Sequence, residues 1–420
     1  MTPTIVLDNG GHTIKAGIGG TDTPAQLIPN AIARSKSKST TYFGHELLQC
    51  TDHASLSYRL PISKGLIVDW DAQKAIWDGL FSTDVLGIDT TQSSLLLTEP
   101  YHNLPNIQQV YDQFIFEEYQ FASYYRCTPA SLIPHLFPTT TTTTTPSPDC
   151  TLIVDSGFSF THAVPLIHGR PHSRALTRLS IGGKLLTNHL KHLISFRQWN
   201  MMDQTHITNH IKESCCFVSS DFARDLHTAR SARSPNPLTQ EYALAEGRLR
   251  QPGDSTSSGS SQILVMNNER FSVPEIIFRP DDIGLNQVGL AGTIAHSISL
   301  LPEDLQGMFW ANIALIGGNT KFPGFRERLL ADLRPLAPVE HDVQVYEYPD
   351  PITAPYDAAM RFVSTPAYKD SVVTRQEYLE SGSNATRRKW RVSAGEEKEK
   401  EKEKEKQGRS KSKTGTARKK

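Results

Sequence analysis

Two stretches of this chain share one design. Ile5-Val6-Leu7-Asp8-Asn9-Gly10-Gly11 is an apolar strand ending in Asp-x-Gly, and Leu152-Ile153-Val154-Asp155-Ser156-Gly157 repeats it further along the 420-residue sequence. Each runs on into more strand-like sequence, Thr13–Ile18 and Thr161–Ile167. A single Asp-x-Gly is an ordinary hairpin turn. Two of them, each opening a half-molecule, predict a duplicated α/β domain. A strand–turn–strand with small residues at its tip aims several backbone N–H groups at one spot, which suits phosphate oxygens. Two such hairpins facing across a cleft clamp the phosphates from both sides. The candidate phosphate residues are therefore Asp8, Asn9, Gly10, Gly11 and Lys15 on the first hairpin, with Asp155, Ser156 and Gly157 on the second. Asp8 and Asp155 suit Mg²⁺ held through water, since that ion keeps most of its hydration. Lys15 offers a point charge to a β-phosphate.

The rest of the chain fits around these hairpins. Asp69 to Phe81 reads as a helix opened by aspartates, with Ala72, Ile76, Trp77, Leu80 and Phe81 on its apolar face. Ser94–Pro100 is a buried strand that stops at proline. Leu176–Leu193 runs as strand, Gly182-Gly183, helix; Ala311–Asn319 repeats the strand-to-glycine design before a helix at Arg326–Leu333. Gly317-Gly318 would let the backbone lie flat against an adenine or ribose. Pro138–Pro148, with seven consecutive threonines, and Ser231–Gln262 are low-complexity segments with no expected secondary structure. Beyond about Thr386 the sequence is a charged tail. Residues 387–420 hold 15 Lys+Arg and 6 Asp+Glu, so a tail of +9 offsets a body of −9 in a chain of zero net charge. The tail groups Arg387-Arg388-Lys389 and Arg418-Lys419-Lys420 are candidate import signals or DNA-phosphate contacts.

Other classes of function find little support. Five cysteines without C-x-x-C spacing suit reduced thiols better than disulfides or zinc. His189 and His192 share a helix face but have no third ligand nearby, and Asp281-Asp282 reads as a turn cap. No apolar run approaches the roughly 18 residues of a membrane span. A soluble, intracellular chain is expected.

Asp8-Asn9-Gly10 through Gly17 and Asp155-Ser156-Gly157 with Thr161-His162 resemble the two phosphate hairpins of actin. Leu60-Pro61-Ile62, Asp69-Trp70-Asp71, Leu97–Pro100, Ile211-Lys212-Glu213, Asn268–Phe271 and Gly317-Gly318 with Phe322-Pro323-Gly324 follow in the same order, over about residues 4–370. Ile115–Tyr119 and Ser195–Asp203 resemble more closely the nuclear actin-related proteins. The resemblance implies an actin/Hsp70/hexokinase-like fold, two duplicated RNase-H-like halves around a nucleotide cleft. The halves would span 1–137, with a small subdomain at about 33–67, and 149–360, the chain returning to the first half over 361–385. It implies ATP or ADP with Mg²⁺ as a structural ligand, Lys212 and Glu213 near base and ribose, and Phe322 in place of an adenine-stacking tyrosine. It also implies a non-catalytic subunit of a nuclear chromatin-remodelling complex that exchanges a histone variant. Its partners would be other subunits and histones or the nucleosome, with DNA reached through the basic tail.

The departures from actin matter as much. Gly11 stands where actin has a serine that touches the γ-phosphate, and His12 replaces a glycine. Phe158-Ser159 replace an Asp-Gly tip, with Ser159 expected where a positive φ favours glycine. Phe158 is expected either to pack inside its own domain or to stand exposed at the cleft mouth as a partner anchor. Arg126–Pro129 offers no glutamine where actin orients the attacking water, so efficient hydrolysis is not expected. Tyr348–Asp357 replaces a segment that completes actin's adenine pocket. The loop at Arg34–Leu60 lacks actin's apolar filament plug, so no filament is expected. The rival readings are a filament-forming ATPase of the cytoskeleton and a kinase or chaperone built on the same hairpins.

Overall fold

The computed structural model describes residues 3–390 apart from 22, 37, 51, 54, 138–148, 231–235, 245–246 and 251–261. The threonine-rich segment thus lies outside the described residues. The first half is built on β1 (Thr4–Asn9), β2 (Thr13–Ile18), β3 (Gln26–Pro29), β4 (Ser94–Thr98) and β5 (Ser123–Cys127), in the order β3-β2-β1-β4-β5. β1 and β2 are antiparallel with Asp8 opposite Lys15, whereas β4 runs parallel to both β1 and β5. The second half repeats this with β6 (Cys150–Ser156), β7 (Thr161–Ile167), β8 (Thr177–Leu179), β9 (Ile313–Ile316) and β10 (Val345–Glu347). Its order is β8-β7-β6-β9-β10, with Asp155 opposite His162 and β6, β9 and β10 parallel.

Side-chain alternation along the strands sorts the cores. Ile5 and Leu7 face the core of the first half, while Val6 between them faces a layer shared by both halves. Ile313 and Leu315 face the second core, and Ala314 and Ile316 the shared layer. Strands buried on both faces read as unbroken apolar runs, which is why Leu95-Leu96-Leu97 shows no alternation. Helix Trp70–Phe81 begins where the Asp69 carboxylate accepts from the Ala72 amide, and its apolar face is buried as the spacing predicts. A small subdomain folds strand Ile32–Ser35 between Thr41–Phe43 and Leu56–Arg59, over its own cluster of Ala31, Ala33, Leu47 and Leu56.

Three boundaries differ from the sequence reading. Within the 231–262 insertion, Gln240–Ala243 and Arg248–Leu249 form a three-stranded sheet with Ile263–Met266. Tyr242 anchors it, buried, with its hydroxyl 2.6 Å from His210 Nδ1. The chain also rejoins the first half before residue 361, because helix Ala354–Val363 packs on β1 and on the Pro129–Leu136 turn. The tail starts later than Thr386. Residues 384–390 are helical, Thr386 is buried and donates to Asp112 Oδ2 at 2.8 Å, and Trp390 packs edge-on against Tyr124. Lys389 pairs with Glu377 at 3.2 Å, so the Arg387–Lys389 group belongs to a packed helix.

Candidate functional site

The two hairpins meet across a cavity of about 540 Å³. Asp8, Asn9, Gly10, Gly11, Lys15, Asp155, Gly157, Lys212, Glu213, Gly317, Gly318 and Phe322 all line it. Ser156 does not: it lies buried behind the wall, where its hydroxyl is 2.9 Å from Thr161 Oγ1 and accepts from Asn319 Nδ2.

Asp8 is buried between two partners. Its Oδ2 pairs with Lys15 Nζ at 3.1 Å, and its Oδ1 accepts from Thr98 Oγ1 at 2.6 Å. The hairpin behind it is held by Asn30, whose side chain donates to Gly10 O and whose amide donates to His12 O, each at 2.9 Å. Asp155 accepts from the Tyr101 hydroxyl at 2.9 Å. Burial nevertheless pushes its carboxyl up to about 6. Opposite it, His162 is pushed down to about 3, by burial and then by the Arg178 charge. Tyr101, beyond the family-like Leu97–Pro100 block, was not singled out in the sequence; its hydroxyl also accepts from the Ala130 amide.

The second tip is fixed from below. Gly183 N and Asn319 Nδ2 donate to Gly157 O at 3.0 and 2.8 Å, and Lys184 N donates to Phe158 O at 2.9 Å. The Gly183 and Lys184 amides belong to the first turn of helix Gly183–Arg197. Elsewhere on the cavity wall, Gly317 holds a φ of 93°, and Pro351, Ile352 and Pro355 of the Tyr348–Asp357 segment line the cavity. Lys212 is buried and donates to Gly183 O, Thr187 Oγ1 and Asn209 Oδ1, and burial lowers its pKa.

The residues that depart from actin meet one another. The rings of His12 and Phe158 stack across the cleft with centroids 5.0 Å apart. A Cβ placed on Gly11 would lie 3.2 Å from Ser159 Oγ and 3.5 Å from Phe158 Cδ1. Phe158 is thus half-buried, with its ring against His12 of the opposite hairpin. Ser159 is also not left-handed; the non-glycine residues of positive φ are Ser39, Lys64, His102, Gln120 and His168 among the described residues. Where a water-orienting amide would stand, Pro129 forms the wall, and Arg126 turns away to Asp112 and Glu99.

The small subdomain closes the cleft from above. Lys36 pairs with Asp203 at 3.2 Å, and His53 stacks on His206 at 4.3 Å with Tyr58 beside them. No group of three or more His, Cys, Asp or Glu side chains suited to a metal occurs among the described residues. Cys215 and Cys216 are core, and Asp281-Asp282 sits in a short turn, Pro280–Ile283. No described helix is long and apolar enough to cross a membrane.

Twin hairpins on duplicated sheets, a glycine pair opposite them and a cleft between define an actin-type fold. The actin family model matches residues 1–391, and the chain belongs to the actin family. Its relatives place it more narrowly. It is 45% identical to the Actin-like protein ARP6 of Cryptococcus neoformans, over 92% of this chain and 84% of that one. It is 39% identical to the Actin-like protein ARP6 of Yarrowia lipolytica, over 92% and 97%, and 36% identical to Actin-related protein 6 of Drosophila melanogaster, over 90% and 97%.

Proposed function

We propose that this chain is a non-catalytic actin-related subunit of a nuclear, ATP-dependent chromatin-remodelling complex that exchanges a histone variant, holding an adenine nucleotide as part of its structure. The contact between His12 and Phe158 carries the non-catalytic reading, since it occupies the end of the cleft where a nucleotide would react. Pro129, in place of a water-positioning amide, supports it.

The remainder of the cleft suits the nucleotide. A Cβ on Gly157 or Gly318 would meet nothing closer than 3.7 Å, so neither glycine is demanded by the fold, and both leave bare backbone for a ligand. Gly317, Gly318 and Phe322 would hold the base, Lys212 and Glu213 the ribose side, and Lys15 a phosphate. Asp8 and Asp155 would receive the hydrated Mg²⁺, whose charge would also draw the Asp155 proton off. A ligand held this way stabilises the fold by mass action.

The chromatin assignment is supported by the resemblance of Ser195–Asp203 to the nuclear class and by what that segment exposes. Phe196, Trp199 and Met202 are 92%, 37% and 42% exposed. The other resembling segment is structural: Ile115 and Phe116 are buried, and Glu117 accepts from the Tyr378 hydroxyl. On this reading the protein is nuclear, meets other subunits and histones, and reaches DNA with the basic residues after 390. Tagged protein recovered from nuclear extract should bring down a remodelling ATPase with histones, and purified protein should release no phosphate from ATP above background. Turnover together with a sedimenting polymer would replace this reading with that of a filament ATPase.

A further inference from the structure

We infer that the cleft is cut for a nucleoside diphosphate and rejects the triphosphate, because the contact between His12 and Phe158 fills the place a third phosphate needs. The inference rests on the reading that the cleft holds an adenine nucleotide.

Two hairpin tips can share a terminal phosphate only if it lies between them. Here the tips touch. The rings stack at 5.0 Å, and the backbone of Gly11 faces the Ser159 hydroxyl and the Phe158 ring edge. A tetrahedral, solvated group does not fit between rings in van der Waals contact without parting them. Both tips are also tied down: Asn30 holds Gly10 and His12, while Gly183, Lys184 and Asn319 hold Gly157 and Phe158. Withdrawing either tip within its own half strains these hydrogen bonds, and parting the two halves breaks the stack.

Charge points the same way. A buried phosphate needs cations or donors to replace its water. Lys15 is already paired with Asp8, and three acceptors surround Lys212. At the tips the apolar Phe158 ring offers nothing to an anion. His12 lies near Glu213, Lys212 and Lys15, and burial, the largest influence, lowers its pKa. A β-phosphate beside Lys15 would find compensation, with Asp8 and Asp155 to hold a hydrated Mg²⁺; a γ-phosphate beyond it would find the His12–Phe158 aromatic pair.

The test is calorimetric titration of the full chain with ADP and with a non-hydrolysable ATP analogue, at one free Mg²⁺ concentration. ADP should bind at least about tenfold more tightly, a difference of about 1.4 kcal/mol. The variant His12→Gly/Phe158→Asp/Ser159→Gly, which reopens the tips, should reduce that ratio to near one. Should that variant melt early, His12→Ala alone is the second probe and should reduce the preference several-fold. Equal affinity of the native protein for both ligands would overturn the inference while leaving the nucleotide reading intact. Binding of neither would overturn both. A preference that survives in the folded variants would remove His12 and Phe158 as its cause.

Discussion

Phe158 and His12 stabilise each other, so neither side chain can be valued alone. A stacked aromatic pair contributes about 0.5–1.5 kcal/mol beyond area burial. Truncating a fully buried Phe costs about 3–5 kcal/mol. Because Phe158 is only half-buried, Phe158→Ala should cost about 1 kcal/mol in urea denaturation. A double-mutant cycle with His12→Ala should recover most of that as coupling energy. A loss of several kcal/mol, independent of His12, would show that the ring is core after all. The sequence marked both residues as departures from the actin pattern. It did not show that they meet, because contact across a cleft leaves no trace in local spacing. The available signal was that both lie in the turns of the repeated hairpins, His12 four residues after Asp8 and Phe158 three after Asp155.

At the scale of elements, glycines divide into those the fold requires and those it merely permits. Gly317 has a φ of 93°, and a Cβ there would overlap the Ser156 carbonyl at the junction of β6 and β9. Gly317→Ala should therefore destabilise by well over about 1 kcal/mol. Gly318→Ala and Gly157→Ala meet ordinary contact distances and should stay within about 0.5 kcal/mol of the native protein. If those two glycines serve a ligand, the same two variants should weaken ADP binding in calorimetry, and an unchanged affinity would remove them from the site. Helix Trp70–Phe81 was legible because its cap and apolar face are both local signals. The strands at Gln240–Leu249 were not legible: their period is only a few residues long, surrounded by Ser, Arg and Pro, and depends on pairing with Ile263–Met266.

On the scale of the molecule, the end of the described chain is part of the first half. Arg126 is buried and paired with Asp112 at 2.8 Å and Glu99 at 3.2 Å, with Trp390 over its guanidinium at 5.0 Å. A chain ending at residue 385 loses Thr386 and Trp390 and leaves Asp112 without one of its donors. Such a chain should melt several degrees below one ending at 390, with about 2 kcal/mol assigned to the desolvated cation–π contact. Equal melting points would make that helix an appendage. The duplication was legible in full from the two Asp-x-Gly hairpins, since a repeated strand and turn survive large changes elsewhere. The return of the chain was not, because the basic run at Arg387–Lys389 disguises residues whose packing depends on Asp112, Tyr124 and Glu377.

The roof over the cleft also sets a clock. Lys36 with Asp203, and His53 with His206, join the small subdomain to the second half above the cavity. If a bound ligand leaves past those contacts, its residence time follows the roof's opening rather than its own affinity. Acid should shorten it. Burial and the neighbouring His53, then His12 and His210, push His206 down to about 4 from an ordinary 6.5, with Glu213 opposing. Since the folded value is depressed, the neutral stack contributes fully above pH 6.5, and its contribution fades as pH falls toward 4. Stopped-flow release of a fluorescent ADP analogue should therefore accelerate between pH 6.5 and 4.5 in the native protein and much less in His206→Phe, which keeps the ring but cannot take a proton. A pH dependence identical in both would mean that some other contact keeps the time.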